Sequence, residues 1–309
     1  MPRLILGGGN FGGVGSDLSV VGSGESEEQA FAVMDAAWER GIDCFDTASS
    51  YGGGASERFI GRWRAERRPE GLILSSKVFH PRFEGDDRGL ARGRVRRVVR
   101  DSLEVLGVDR IDLYLTHEPD PITPLEETLG ALDELRAEGL IGAVGVSNVE
   151  ADYVLECLRI ADERGYARIA CVQNEYSLLA RDADREVLGL CIRHDVGFVA
   201  FSPLAGGWLT GKYRTGESYP EGSRMTLRPD PYTQYLRPEV FAAIAAFGRS
   251  AEERGVSPAA LAIAWVLSRP GVTAAVIGPR TPKQLEEALP AVGLGLTTRE
   301  CAELREPFP

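Results

Sequence analysis

Gly7-Gly8-Gly9-Asn10-Phe11-Gly12, directly after the apolar run Leu4-Ile5-Leu6, is the stretch on which the fold turns. Its letters satisfy G-x-G-x-x-G, the fingerprint of a doubly wound dinucleotide-binding sheet. That fingerprint needs a helix starting at once on the loop, and an acidic residue ending the second strand about 20 positions on. Neither condition holds. Gly13, Gly15, Ser16 and Asp17 keep the chain irregular until about Ser26, and the acidic strand end, Asp46, comes too late. The glycines read as the first loop of a different α/β architecture.

Outward from that loop, short apolar runs alternate with longer amphipathic segments. The runs are Leu4–Leu6, Ile42–Phe45, Leu72–Lys77, Ile111–Thr116, Ile141–Ser147, Ile169–Gln173, Gly197–Phe201 and Val272–Ile277. Continuous apolar runs suit parallel strands buried on both faces. Between them, Ser26-Glu27-Glu28 opens a helix that stops at Gly41, and Val95, Val98, Val99, Leu103 and Leu106 mark one face of another, ended by Gly107. Pro124 to Glu138 is closed by Gly139, and Pro258 to Leu267 is followed by Pro270 and Gly271, with proline at starts and glycine after ends. Successive strand ends at Asp46, Lys77, His117, Ser147, Gln173 and Ser202 are spaced to hold one βαβ unit of roughly 30 residues each. Eight such units predict a (β/α)8 TIM barrel, one domain over residues 1–309, with a long Gly/Pro/Tyr-rich loop insertion at about 202–238.

Composition narrows the class. The 309 residues carry 35 basic and 46 acidic side chains, a formal net charge of −11, which argues against nucleic acid or an anionic membrane as partner. The longest strongly apolar stretch, Ala259 to Leu267, is far short of the ~20 residues that span a bilayer. Met1-Pro2-Arg3-Leu4-Ile5-Leu6 runs into glycines without a signal-peptide core. Cys44, Cys157, Cys171, Cys191 and Cys301 form no C-x-x-C pair, and most sit in apolar contexts, as expected of reduced thiols in a cytoplasmic protein.

In a barrel, chemistry collects where strands end on the carboxyl side. Strand two ends Cys44-Phe45-Asp46-Thr47-Ala48 and runs into Ser50-Tyr51-Gly52; strand three ends at Lys77; strand four ends at His117-Glu118-Pro119-Asp120. Alone, Asp46 could cap a turn, Tyr51 decorate a loop, Lys77 reach solvent and His117 pack on the rim. Together they are equipment for protonating a carbonyl oxygen. A free phenol, with a pKa of ~10, is a weak acid. A neighbouring ammonium favours the phenolate and lowers that pKa, and a paired carboxylate keeps the ammonium charged. A histidine then orients the carbonyl or shares in proton transfer.

Asp46, Tyr51, Lys77 and His117 in this order resemble the Asp, Tyr, Lys and His of the aldo-keto reductases. The likeness runs from about Arg3 to about Leu289 and includes Phe45-Asp46-Thr47-Ala48…Tyr51-Gly52, His117-x-Pro119-Asp120 and Gly145-Val146-Ser147-Asn148. It implies reversible, NADPH-dependent reduction of an aldehyde or ketone, with Tyr51 as general acid, Lys77 and Asp46 tuning it, and His117 orienting the substrate. The same resemblance implies that Ser147, Asn148 and Gln173 hold the nicotinamide carboxamide and that Tyr176 stacks on its ring. It assigns the pyrophosphate to the loop holding Ser202, Leu204, Gly206 and Lys212. After strand eight, Gly278, Arg280, Gln284 and Glu287 match adenosine-side positions. A guanidinium at Arg280 suits a 2′-phosphate, which it can grip with two parallel hydrogen bonds. Where the family usually has asparagine, this chain has Ala288, so NADH remains open as an alternative to NADPH.

Other features weigh less. The run Arg88, Arg92, Arg94, Arg96, Arg97, Arg100 reads as the solvated face of a helix, His80 as a residue of the substrate mouth or of plain packing, and His194 as a helix-end partner. No cluster has metal-ligand spacing, so no catalytic metal is expected. Phe79, Phe83, Trp208, Tyr213, Tyr219, Tyr232 and Tyr235 point to a partly apolar pocket for a small-molecule carbonyl compound. Oligomeric state stays open. Two other functions fit the same barrel: a cofactor-binding regulatory subunit with little turnover, and a lyase or isomerase using the same tyrosine and histidine.

Overall fold

A computed structural model describes residues 3–309. Met1 and Pro2, which begin the segment read as lacking a leader core, lie outside them. The first long helix shows how closely local chemistry sets the boundaries. The Ser26 hydroxyl accepts from the Gln29 N–H, and the Gln29 side chain accepts from the Ser26 N–H. This capping box starts α1 (Glu27–Glu39) at the residue the sequence marks. Gly107 ends α3 (Arg92–Leu106) in the left-handed conformation that glycine adopts without steric cost.

Eight strands close into a parallel barrel: β1 (Leu4–Gly7), β2 (Cys44–Asp46), β3 (Ile73–Val78), β4 (Ile111–Thr116), β5 (Ile141–Ser147), β6 (Cys171–Glu175), β7 (Gly197–Phe201) and β8 (Val272–Ile277). Sequence neighbours pair throughout, and Leu4 to Leu6 beside Ala275 to Ile277 complete the ring. The (β/α)8 expectation is met, with strand boundaries within two residues of the sequence reading. Around the barrel lie α1, α2 (Ala55–Arg67), α3, α4 (Leu125–Ala137), α5 (Ala151–Arg164) and α6 (Val187–His194). The segment after β7 carries the short α7 (Arg224–Leu227), then α8 (Pro238–Glu253) and α9 (Pro258–Leu267); α10 (Pro282–Ala288) and α11 (Thr298–Arg305) follow β8.

Strand side chains alternate between two faces. One set, Ile5, Cys44, Leu115, Cys171, Val199, Ala274 and Val276, packs inside the barrel. The other, with Leu4, Leu6, Phe45, Leu74, Val78, Tyr114, Val146, Val172, Phe198 and Ile277, packs against the helices in a much larger core. This alternation decides which residues reach the mouth. Two positions beyond Cys44 lies Asp46, two beyond Leu115 lies His117, two beyond Cys171 lies Gln173, and two beyond Val199 lies Phe201. The inward-facing columns of these four strands therefore end in a polar or aromatic group at the carboxyl end of the barrel.

Among the described residues no helix is long and apolar enough to cross a membrane, and no His/Cys/Asp/Glu group is arranged to hold a metal ion. All five cysteines are free and buried.

Candidate active site

Asp46, on the inward face of β2, is 2% exposed and organises the floor of the site. Its Oδ2 accepts from Lys77 Nζ at 2.5 Å, and its Oδ1 accepts from Ser75 Oγ at 2.9 Å and Gln173 Nε2 at 3.0 Å. Lys77 comes from the inward column of β3 and is 1% exposed. Its ammonium also donates to the Thr47 carbonyl at 2.8 Å and to Tyr51 Oη at 3.3 Å. Burial alone would push this ammonium's pKa down; Asp46 and the phenol together outweigh that and hold it above its usual value.

Tyr51 opens a turn whose next three residues, Gly52, Gly53 and Gly54, all have positive φ. A Cβ on Gly52 would come within 2.5 Å of the Phe11 carbonyl, so glycine there lets the Tyr51 turn lie flat against the loop after β1. The phenol oxygen then sits 3.4 Å from His117 Nε2, with the two rings edge to face at 5.3 Å. The four residues singled out from the sequence thus share one hydrogen-bonded group. The expected direction of the tyrosine shift is corrected: burial raises the Tyr51 pKa, and Lys77 offsets this only in part. In the protein alone the group is a firmly protonated phenol.

His117 is 8% exposed, and burial, reinforced by the Lys77 and His80 charges, pushes its pKa well below the usual imidazole range. It is a neutral ring at physiological pH. Its Nδ1 is buried without a partner among the described residues, so the Tyr51 contact at Nε2 and packing orient it: Tyr51 lies on one side and His80 edge-on at 4.8 Å on another. His80 is itself fixed by Glu118 Oε1 at 3.1 Å. That sets the His80 ring beside the four-residue group.

Next to this group lie the residues expected to hold a carboxamide. Asn148 takes a left-handed conformation and donates through Nδ2 to the His117 carbonyl at 2.9 Å and to Ser147 Oγ at 3.2 Å. Its Oδ1 and the Oε1 of Gln173 accept no hydrogen bond among the described residues. Two open carbonyl acceptors beside a hydroxyl whose proton is uncommitted match the two N–H donors and one oxygen of a primary amide. The residues present fit a nicotinamide headgroup.

Tyr176 does not join them. It follows β6 on the outward parity and has no exposed surface. Its ring stacks on Trp265 at 5.6 Å, and its hydroxyl donates to Asp184 and accepts from Arg269. The partly exposed aromatic at the mouth is Phe201, on the inward column of β7, which the sequence reading passed over; strict two-residue counting from Val199 would have found it. The apolar-pocket list is also corrected. Trp208, Tyr213 and Tyr235 are buried against one another and Phe241 as the core of the segment after β7, and do not line a pocket.

The positions that the resemblance assigns to the pyrophosphate and adenosine lie after β7 and after β8. Ser202, Ala205, Gly206 and Gly207 take left-handed backbone conformations after β7, with Leu204 half-buried among them. Lys212 stands beside Gly207, and a Cβ on Gly206 would strike the Tyr232 ring. The Gly278 carbonyl accepts from Asn10 Nδ2 at 3.2 Å, and Asn10 Oδ1 accepts from Arg224. Arg280 pairs with Glu25 and donates to the Gly222 carbonyl, while its own N–H donates to Gln284 Oε1 at 2.8 Å. Glu287 lies exposed one turn on, near Lys283. Ala288 is packed into the core. Arg224 was not among the sequence candidates; nothing in its local sequence distinguishes it, and only the fold carries it beside Asn10.

Comparison with known proteins agrees with this architecture. A sequence model of the Aldo/keto reductase family matches residues 3–307. The chain is 35% identical to the "Uncharacterized oxidoreductase YrpG" of Bacillus subtilis (strain 168), covering 100% of this chain and 93% of that one. It is 32% identical to the "Aldo-keto reductase str7" of Strobilurus tenacellus, over 91% and 82% of the two chains. It is also 31% identical to a "Probable voltage-gated potassium channel subunit beta" of Arabidopsis thaliana, over 86% and 82%. With the match running almost end to end over a closed eight-stranded barrel, the chain belongs to the aldo/keto reductase family.

Proposed function

We propose that this protein reduces an aldehyde or ketone, reversibly, with a nicotinamide dinucleotide, and that Tyr51 is the acid that protonates the carbonyl oxygen. One observation carries the reading: a phenol, 3.3 Å from a buried ammonium and 3.4 Å from a neutral imidazole, opens on the mouth where the Ser147–Asn148–Gln173 amide site lies. When bound, the nicotinamide supplies or accepts the hydride at the carbonyl carbon.

The chain's own residues do the rest. Neutral His117 and the Tyr51 hydroxyl converge on one small volume, so a carbonyl oxygen placed there meets two polar groups. As negative charge develops on that oxygen, the phenol proton moves to it, and the Lys77 ammonium stabilises the phenolate left behind. Desolvation makes the phenol a poor acid at rest, but it also strengthens the attraction between phenolate and ammonium once the proton leaves. Asp46 keeps that ammonium charged and aimed, with Ser75 and Gln173 satisfying its other oxygen. Phe201 supplies an apolar surface at the mouth in place of the buried Tyr176. Lys212, Arg224 and Arg280 collect positive charge for the dinucleotide phosphates; burial and the two arginines hold the Lys212 pKa down.

The test is Tyr51→Phe assayed by loss of reduced-nicotinamide absorbance across aromatic aldehydes, sugars and bulky ketones. Turnover falls by about 10²–10⁴-fold while the dissociation constant for the dinucleotide is unchanged; a variant that still turns over defeats the acid assignment. The likeness to a protein named as a channel subunit favours a second reading, a cofactor-binding regulatory subunit. Tight dinucleotide binding with no turnover of any carbonyl compound by the unmodified protein would select it.

A further inference from the structure

Arg280 is paired with a carboxylate that neither the sequence reading nor the reaction uses. Glu25 closes the loop after β1 and is 2% exposed. Its place is fixed by backbone pairing: its N–H donates to the Asn10 carbonyl at 2.9 Å, and its carbonyl accepts from the Gly12 N–H at 2.9 Å. The preceding Gly24 is pressed so tightly that a Cβ would come within 2.1 Å of the Asn10 oxygen. From this anchored position Glu25 Oε1 accepts from Arg280 Nε, while Oε2 is buried with no partner among the described residues. Arg224 contributes a second positive charge nearby.

Arg280 therefore already faces a carboxylate. A 2′-phosphate gripped by this guanidinium would bring further negative charge against Glu25 and compete for the same N–H donors. A ribose 2′-hydroxyl, which carries no charge, would instead leave the Arg280–Glu25 ion pair intact.

We propose that Glu25 sets the 2′ specificity of the cofactor site, so that the protein takes NADH about as readily as NADPH instead of requiring the phosphate. This rests on the reading that the dinucleotide's adenosine ribose lies at Arg280. By the same logic, a neutral residue in place of Glu25 releases the guanidinium and turns the site towards NADPH.

The experiment is direct binding of NADPH and NADH, by calorimetry or quenching of protein fluorescence, to the unmodified protein, Glu25→Gln and Glu25→Thr. In the unmodified protein the two dissociation constants lie within about tenfold of each other, a difference of about 1.4 kcal/mol. Both variants tighten NADPH by about tenfold and leave NADH equal or weaker. Two chemically different neutral replacements guard against one of them failing to fold, which retained NADH binding also checks. An unmodified protein that prefers NADPH by more than a hundredfold overturns the proposal, as does an unchanged ratio in the variants. If neither dinucleotide binds the unmodified protein, the cofactor reading itself fails; binding of both with an unmoved ratio removes only the role of Glu25.

Discussion

Asp46 and Lys77 are a buried ion pair whose two members depend on each other. Removing one partner of such a pair leaves the other charged group desolvated and uncompensated, which costs ~3–5 kcal/mol. Asp46→Asn is expected to destabilise the fold by about that amount, read as a lower urea midpoint. It should also lower turnover, because a lysine that loses its proton can no longer stabilise a phenolate. His117 gives a second residue-level expectation. Its folded pKa is depressed, whereas the unfolded chain takes up a proton near ~6.5. Its contribution to stability is therefore present above that value and is lost as pH falls. His80, also depressed by burial, acts in the same direction. Unfolding free energy measured between about pH 7 and 5 should decline with acidification, and His117→Gln should flatten that decline. An equally steep slope in the variant would show that His117 is not kept neutral.

Among the elements, the loop joining β3 to α3 gathers three of its carbonyls on one side chain. Arg94 is 4% exposed and donates to the carbonyls of His80, Asp87 and Gly89, and to the Asp87 carboxylate. It anchors the segment that sets His80 against His117. Arg94→Ala leaves these acceptors unmet and should cost about 3 kcal/mol by equilibrium unfolding, with faster hydrogen exchange over residues 80–90. A change below about 0.5 kcal/mol would mean that the loop holds itself.

The sequence could not single out this arginine. Its neighbours Arg96, Arg97 and Arg100 point outward into ion pairs with Glu134, Asp87 and Glu138, and one-dimensional spacing makes all of them look like a solvated face. The strands were legible because continuous apolar runs between turn residues have few other uses, and the four catalytic candidates because Asp46, Lys77 and His117 sit at strand ends and Tyr51 follows in the loop after β2. Tyr176 and Phe201 show the limit. Near a strand end, one residue of offset exchanges mouth for core, and the sequence does not mark where the pleat stops. Glu25 and Arg224 lie far apart in the chain and come near each other only after the barrel has closed.

For the molecule as a whole, β1 pairs with β8, so the ring closes only when both ends of the chain are in place. All five thiols are buried, Cys44 and Cys171 inside that ring and Cys157, Cys191 and Cys301 on α5, α6 and α11. Burial raises the pKa of Cys44, Cys157 and Cys171 to about 12 and that of Cys191 to about 11. Because the thiolate is the reactive form, thiol reagents should label the native protein at the rate at which it opens. The labelling midpoint in denaturant should coincide with loss of circular dichroism. A cysteine modified rapidly under native conditions would reveal local opening of its strand or helix.

Division of labour around the ring has one more consequence. The proposed proton-handling groups stand on or just after β2, β3 and β4, while the proposed cofactor contacts stand mainly on β5 to β8 and the segment after β7. The β3–α3 loop beyond His80 and the β4–α4 loop beyond His117 are therefore expected to be exchangeable for those of other family members as cassettes. Such chimeras would change the compound reduced while keeping the source of the electrons, and the proton machinery between the two would need no redesign.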